Sequence, residues 1–243
     1  MGPGWWFWAR GARAAGIASA VAFALLAACH PVGVGHAPPP PSADALAAIA
    51  PGLDPTVLRL ALRASRCAAR AGLVAAPGRL TVIDYTRPST EPRLWVVDLT
   101  TRTLRHRELV AYGRGTGELY AARFSNDAGS LQSSLGLFVT GEPYVGRHGP
   151  SLPLVGLEPG VNDHAVAREI VLHGADYVSA AFAADQGRLG RSHGCPAVRS
   201  DAAATLIDAI AGGTPLFAYY PDPSWLEHSR FLGTACVDDG AAP

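Results

Sequence analysis

The chain has only four cysteines in 243 residues, too few for a disulfide-built scaffold. It also lacks any excess of charge: 20 acidic residues balance 20 basic ones, and no Lys/Arg block occurs beyond the first residues. That balance argues against nucleic acid as a partner. No internal repeat is present. The uncharged apolar run from Ala14 to Ala28 is too short for a comfortable membrane span.

Arg10 and Arg13 precede that run, which ends in Leu26-Ala27-Ala28-Cys29. This is the layout of a bacterial export signal. Small residues directly before a cysteine resemble a lipobox, in which Cys29 is lipidated and becomes the mature N-terminus. An ordinary cleaved signal, or an uncleaved anchor with Trp5, Trp6 and Trp8 at the membrane interface, are the alternatives. Each places the body of the protein outside the cytoplasm, in the cell envelope or periplasm. His30 is not the aspartate associated with inner-membrane retention, so the resemblance implies an outer-membrane destination in a two-membrane cell. Pro31 to Ser42 includes four consecutive prolines, builds no core and reads as an extended tether.

The expected organisation is an export signal over 1–28, a Pro-rich tether over 29–42, a helical preface over 43–77, a main domain over 78–221 and a C-terminal tail over 222–243. Asp54-Pro55 offers an N-cap and a proline at the first helical position, and Val57 to Arg70 puts Leu58, Ala61 and Leu62 on one face. Strand signals follow at Leu80 to Tyr85, Leu94 to Leu99, Leu104 to Tyr112, Leu137 to Thr140, Ile170 to His173 and Leu216 to Tyr220. A further helix is expected over Ser200 to Ile210, closed by Gly212-Gly213. The fold expected is mainly β, with peripheral helices and an N-terminal helix.

The chemistry concentrates in Gly190-Arg191-Ser192-His193-Gly194-Cys195-Pro196. A thiol is a few per cent ionised near neutral pH, so a cysteine nucleophile needs a neighbouring imidazole or a positive field. His193 lies two residues from Cys195, where ring geometry makes a direct bond awkward. His173 comes from another segment, the usual way a base meets its nucleophile, and is the favoured base. Amides from His193 through Cys195, unobstructed at Gly194, are candidate donors to the oxyanion of a tetrahedral intermediate. Ser192 is a candidate for supporting the turn or binding substrate. These residues lack the paired spacing of structural zinc, so no metal is expected. With Cys29 lipidated and Cys195 free, Cys67 and Cys236 remain, and an oxidising compartment permits them to pair.

Together, His173-Gly174, a spacer and Ser192-His193-Gly194-Cys195 resemble the signature of the YkuD-type L,D-transpeptidase catalytic domains, which remodel bacterial peptidoglycan. Gly141-Glu142-Pro143-Tyr144-Val145-Gly146, Gly156-Leu157-Glu158, Ala175-Asp176-Tyr177-Val178 and Leu216-Phe217-Ala218-Tyr219-Tyr220-Pro221 resemble its murein branch. The resemblance covers about residues 78 to 221. It implies a sandwich-like or barrel-like β fold and a Cys-His unit in which the Gly174 carbonyl orients the imidazole. The common signature has Arg or Asn two residues after the cysteine, where this chain has Ala197, with Arg199 two further on.

The activity so implied is transfer of a stem-peptide acyl group from terminal D-alanine, through a thioacyl-enzyme on Cys195, to an amine that makes a 3-3 crosslink. No cofactor is required. Water as acceptor would make an L,D-carboxypeptidase, and a protein lysine would anchor an envelope protein. Arg191, Tyr144, His148 and Arg199, with Ser192, are the candidate contacts to an anionic stem peptide. Asn162-Asp163-His164 and Arg168 are expected to brace the loop before His173. A lipid-anchored peptidoglycan-binding module without catalysis and a protease acting on ordinary polypeptides are readings of other kinds.

Overall fold

The computed structural model describes residues 42–75, 78–233 and 236. The expected export signal, Cys29 and all but the last residue of the tether lie outside them.

Two helices come first, α1 over Ala43–Ala47 and α2 over Pro55–Arg70. The Asp54 side chain accepts the Thr56 amide at 2.6 Å, satisfying a helix-start donor that has no partner within the helix. Val57, Leu58, Ala61, Leu62, Ala64 and Ala68 form one buried face. At the other end Gly72 has φ 69°, and the Leu73 amide returns to the Ala68 carbonyl at 2.9 Å, a turn that favours glycine.

The strands are β1 Arg79–Asp84, β2 Leu94–Asp98, β3 Thr103–Glu108, β4 Gly136–Thr140, β5 Tyr144–Gly146, β6 Gly149–Gly156, β7 Val171–Gly174, β8 Ala197–Val198 and β9 Pro215–Tyr219. Helices α3 Ala180–Gln186, α4 Ser200–Ile210 and α5 Pro223–His228 complete the described elements. The sheet runs β3-β2-β1-β9-β4-β6-β7-β8, with β5 paired to β6. Its two ends approach each other, because the chain leaving β3 bridges Ala111 to Ala197 and Gly113 to Ser192. The fold is therefore mainly β and barrel-like, nearly closed, with helices outside. The expected strand Leu104 to Tyr112 divides at Glu108: its first half pairs with β2 and its second half carries these bridges.

β1, β2 and β9 are almost wholly buried, and α2 packs against this part of the sheet. Their near-continuous Val, Ile, Leu and aromatic content suits strands covered on both faces. Inside, the fully buried Arg93 guanidinium lies 4.4 Å from the Tyr112 ring centre and 5.4 Å from that of Tyr85. It donates to the carbonyls of Val110 and Arg87. Aromatic faces and carbonyl dipoles there offset the cost of removing a cation from water.

The described part of 222–243 packs on the barrel. Trp225 and Phe231 are buried, and Trp225 Nε1 and Ser229 Oγ donate to Glu158 at 3.1 and 2.6 Å. Cys236 is joined to Cys67 by a disulfide, with Cα atoms 5.5 Å apart. This bond ties α2 to the chain beyond α5.

Candidate active site

Strand pairing brings the two signature segments together. β7 and β8 run parallel, with His173 opposite Ala197, so the chain around Cys195 lies beside the strand that carries His173. The Val171 amide is 3.5 Å from Cys195 Sγ, and the thiol faces the Glu169 carbonyl at 3.7 Å. Glu169 has φ 55°, an uncommon conformation for a residue with a side chain and one that recurs at functional sites.

The turn before the thiol is held from both sides. Ser192 Oγ donates to the Cys195 carbonyl at 2.6 Å and accepts the Gly194 amide at 3.0 Å. Ser133 Oγ donates to the Gly194 carbonyl at 2.8 Å while accepting the Gly113 amide at 3.0 Å. Both serines are buried. This bears on two expectations. Of the two roles expected of Ser192, the hydrogen bonds of its hydroxyl to backbone groups fit the support of the turn. The Gly194 amide cannot serve an oxyanion hole, because Ser192 already takes it; the His193 and Cys195 amides are the candidates that remain.

His173 is 3% exposed, and its Nδ1 lies 2.8 Å from the Gly174 carbonyl oxygen. A carbonyl only accepts, so Nδ1 bears the proton and Nε2 is left with a lone pair. The ring of His148 stacks on it, centres 4.5 Å apart and planes inclined at 25°. His193, by contrast, is exposed. A buried, oriented imidazole fits the part of base better than a free one.

Electrostatics favour an uncharged pair at rest. Burial pushes the Cys195 thiol above its ordinary 9.0, against the opposing pull of the Val171 amide, Arg168, Arg147 and its own amide. Burial likewise lowers His173 below 6.5, opposed by the Gly174 carbonyl and helped by His148 and Arg147. Both shifts favour the uncharged forms, a protonated thiol and a neutral imidazole.

Cys195, His173 and His193 line one cavity of about 670 Å³, together with Tyr144, His148, Arg191 and Ser192. Arg191 is partly neutralised there by Glu118, an ion pair that also includes Arg188. Arg199 does not reach this cavity. It pairs with Glu108 and Asp201, each at 3.0 Å, beside a second depression. The expected role of Arg199 in stem-peptide binding is corrected: its partner carboxylates hold it elsewhere.

Arg147, Glu169 and Tyr177 also line the cavity; of these the sequence pointed only to Tyr177, as part of a family-like run and with no role of its own. Their signal was weak, since Arg147 stands next to His148 but in a stretch that showed no strand pattern. Arg168 bridges the Ser125 carbonyl, Ser134 Oγ and the Gln132 carbonyl while its charge favours the Cys195 thiolate. Asn162 is the brace of a buried turn, donating to the Leu135 and Leu137 carbonyls and accepting the Glu158 amide. Asp163 and His164 bond to Asn126.

The family model described as L,D-transpeptidase catalytic domain matches residues 49–219. The chain belongs to this family. No curated protein matches it. Solved structures that resemble it include an L,D-transpeptidase from Mycobacterium smegmatis, at 14% identity and TM-score 0.37 over 59% of each chain. L,D-transpeptidase 1 of Mycobacterium tuberculosis shows 13% identity and TM-score 0.33, over 58% of this chain and 61% of that one. Residues 123–326 of the L,D-transpeptidase from Xylanimonas cellulosilytica DSM 15894 show 16% identity and TM-score 0.35, over 69% of this chain and 81% of that one. The chain thus spans less than two thirds of the two mycobacterial proteins. Family membership rests on the match over 49–219, not on these likenesses.

Proposed function

We propose that the protein is a peptidoglycan L,D-transpeptidase that works through a thioacyl-enzyme on Cys195. The observation that carries this reading is the juxtaposition of Cys195 with a buried His173 whose Nδ1 is tied to Gly174, within a chain of the L,D-transpeptidase family.

Nε2 of His173 takes the thiol proton as Sγ attacks the carbonyl at the L-centre of the third stem residue. The oxyanion meets the amides of His193 and Cys195, donors already fixed by the turn, so little reorganisation is needed. His173 then returns the proton to the departing amine of D-alanine, and the acyl group stays on sulfur. An amine, such as the side-chain amine of a neighbouring stem's diamino acid, gives its proton to His173 and attacks the thioester. A 3-3 crosslink and the free thiol result.

The protein acts outside the cytoplasm on this reading, held to a membrane by lipid on Cys29. Replacing Cys29 by Ser is expected to release it from the membrane fraction, and persistent attachment would contradict the lipid anchor.

The activity is tested by incubating the protein with disaccharide-tetrapeptide and analysing products by mass spectrometry, with Cys195→Ala as control. Loss of D-alanine with a 3-3 dimer is expected. Loss without dimer would mean that water is the acceptor and the enzyme a carboxypeptidase. No Cys195-dependent change would overturn the enzymatic reading in favour of a peptidoglycan-binding module.

A further inference from the structure

The tight turn joining β5 to β6 sets Arg147 and His148 against the wall of the cavity. Arg147 Nε donates to His148 Nε2 at 3.0 Å, and His148 lies flat on His173. In this contact His148 Nε2 is the acceptor. Arg147 and His148 are both exposed, and the guanidinium is held through one ring to the base.

Among the described residues Arg147 has no carboxylate partner. The other arginines considered for substrate binding do: Arg191 pairs with Glu118, and Arg199 with Glu108 and Asp201. With Nε committed to His148, the two terminal nitrogens of Arg147 remain, and these are a planar fork suited to a carboxylate. Arg147 also favours the Cys195 thiolate electrostatically, so its charge is felt at the nucleophile. Glu169 also lines the cavity, although it meets the thiol through its backbone carbonyl, so the cleft is not uniformly cationic. An acidic ligand group would be drawn to the hairpin side.

We infer that Arg147 is a specificity-determining residue, a carboxylate-binding site on the β5–β6 turn that docks the acyl donor against His173 and Cys195. The inference rests on the reading of the cavity as a stem-peptide site. A stem tetrapeptide offers two sources of that chemistry near the scissile bond: the terminal carboxylate of the leaving D-residue and the carboxylate at the end of the diamino acid side chain.

Binding without turnover separates this inference from the proposed reaction. Calorimetry is done on the full chain carrying Cys195→Ala, with and without Arg147→Gln or Arg147→Lys, each first checked for an unchanged melting curve. The ligands are the free tetrapeptide and two forms of it, each amidated at one of the two carboxylates. Arg147→Gln is expected to weaken binding of the free peptide about tenfold or more, the scale of a hydrogen-bonded charge pair, with Arg147→Lys retaining part of the affinity. Amidation at the recognised carboxylate is expected to weaken the Arg147 protein by the same factor and to leave the Gln variant unaffected. The amidated form that shows this coupling identifies the source. Equal affinity of the Gln variant and the Arg147 protein, equal loss in both on amidation, or no binding by either would overturn the inference. If the coupling is found while the protein with Cys195 intact releases no D-alanine, the carboxylate site stands and the transpeptidase reading falls.

Discussion

The Nδ1 nitrogen of His173 lies 2.8 Å from the carbonyl oxygen of Gly174, the next residue along the chain. That contact fixes which ring nitrogen carries the proton and leaves Nε2 with a lone pair. Burial acts in opposite directions on the two partners, holding His173 below 6.5 and Cys195 above 9.0.

The pH dependence follows from those directions. Only neutral His173 can accept the thiol proton, so kcat/KM is expected to rise with pH through a pKa below 6.5 and then stay level through neutrality. Alkylation of Cys195 by iodoacetamide, followed by mass spectrometry of its peptide, is expected to increase with pH to beyond 9. An alkylation rate already constant between about pH 5 and 8, the behaviour of a preformed thiolate–imidazolium pair, would contradict the neutral resting state.

Gly194→Ala is expected to abolish turnover. The residue has φ 136°, and an added Cβ would lie 2.9 Å from the Gln132 carbonyl oxygen and 3.1 Å from Ile170 Cδ1. The turn that aims Cys195 must shift to relieve this, at a cost of about 1–3 kcal/mol in stability. Thermal denaturation and turnover measured on the same preparation check both effects.

Arg168 fixes the wall beside the thiol by bridging Ser125, Ser134 and Gln132 and lowers the Cys195 pKa by its charge. Arg168→Met is expected to move the alkylation profile of Cys195 to still higher pH. Arg168→Lys is expected to restore the charge without the planar fork, returning the profile part of the way but not the turnover. An unshifted profile in the Met variant would show that Arg168 is felt only through packing.

Replacing Cys67 and Cys236 together by Ser is expected to lower stability by about 2–5 kcal/mol. The link joins residues separated by 169 positions, and a long closed loop loses most entropy in the unfolded chain. Urea denaturation checks the loss, while the pH profile of Cys195 alkylation, set by elements away from α2, is expected to stay the same.

The sequence was most legible where local chemistry decides. Helix α4 occupies the stretch expected from its apolar spacing, Ser200 to Ile210, and the β1, β2, β4 and β9 signals fall within a residue or so of the strands. The hairpin β5–β6 was missed because Pro150 and Pro153 interrupt any strand pattern there. In the fold both prolines sit inside β6, which bonds to three other strands on different faces of its length.

The candidate site was legible in the residues proposed to react and not in their supports. Cys195, Gly194 and His193 are consecutive, and His173 stands in a short motif of its own, so they could be picked out together as candidates. Which amides remain free depends on where Ser192 Oγ points, and the fate of Arg199 depends on Glu108, 91 residues away. The stacking of His148 on His173 is likewise made by strand pairing between β6 and β7. Such contacts come from topology and leave no trace in spacing.

The central claim is that Cys195 carries the acyl group. Intact-protein mass spectrometry during reaction with a stem tetrapeptide tests it most directly, with peptide mapping to locate the adduct. The expected result is a mass increase equal to the tetrapeptide less D-alanine, located on Cys195, absent in Cys195→Ala and discharged when an amine acceptor is added. Release of D-alanine with equal efficiency by the Cys195→Ala protein, or an adduct on another residue, would contradict the account.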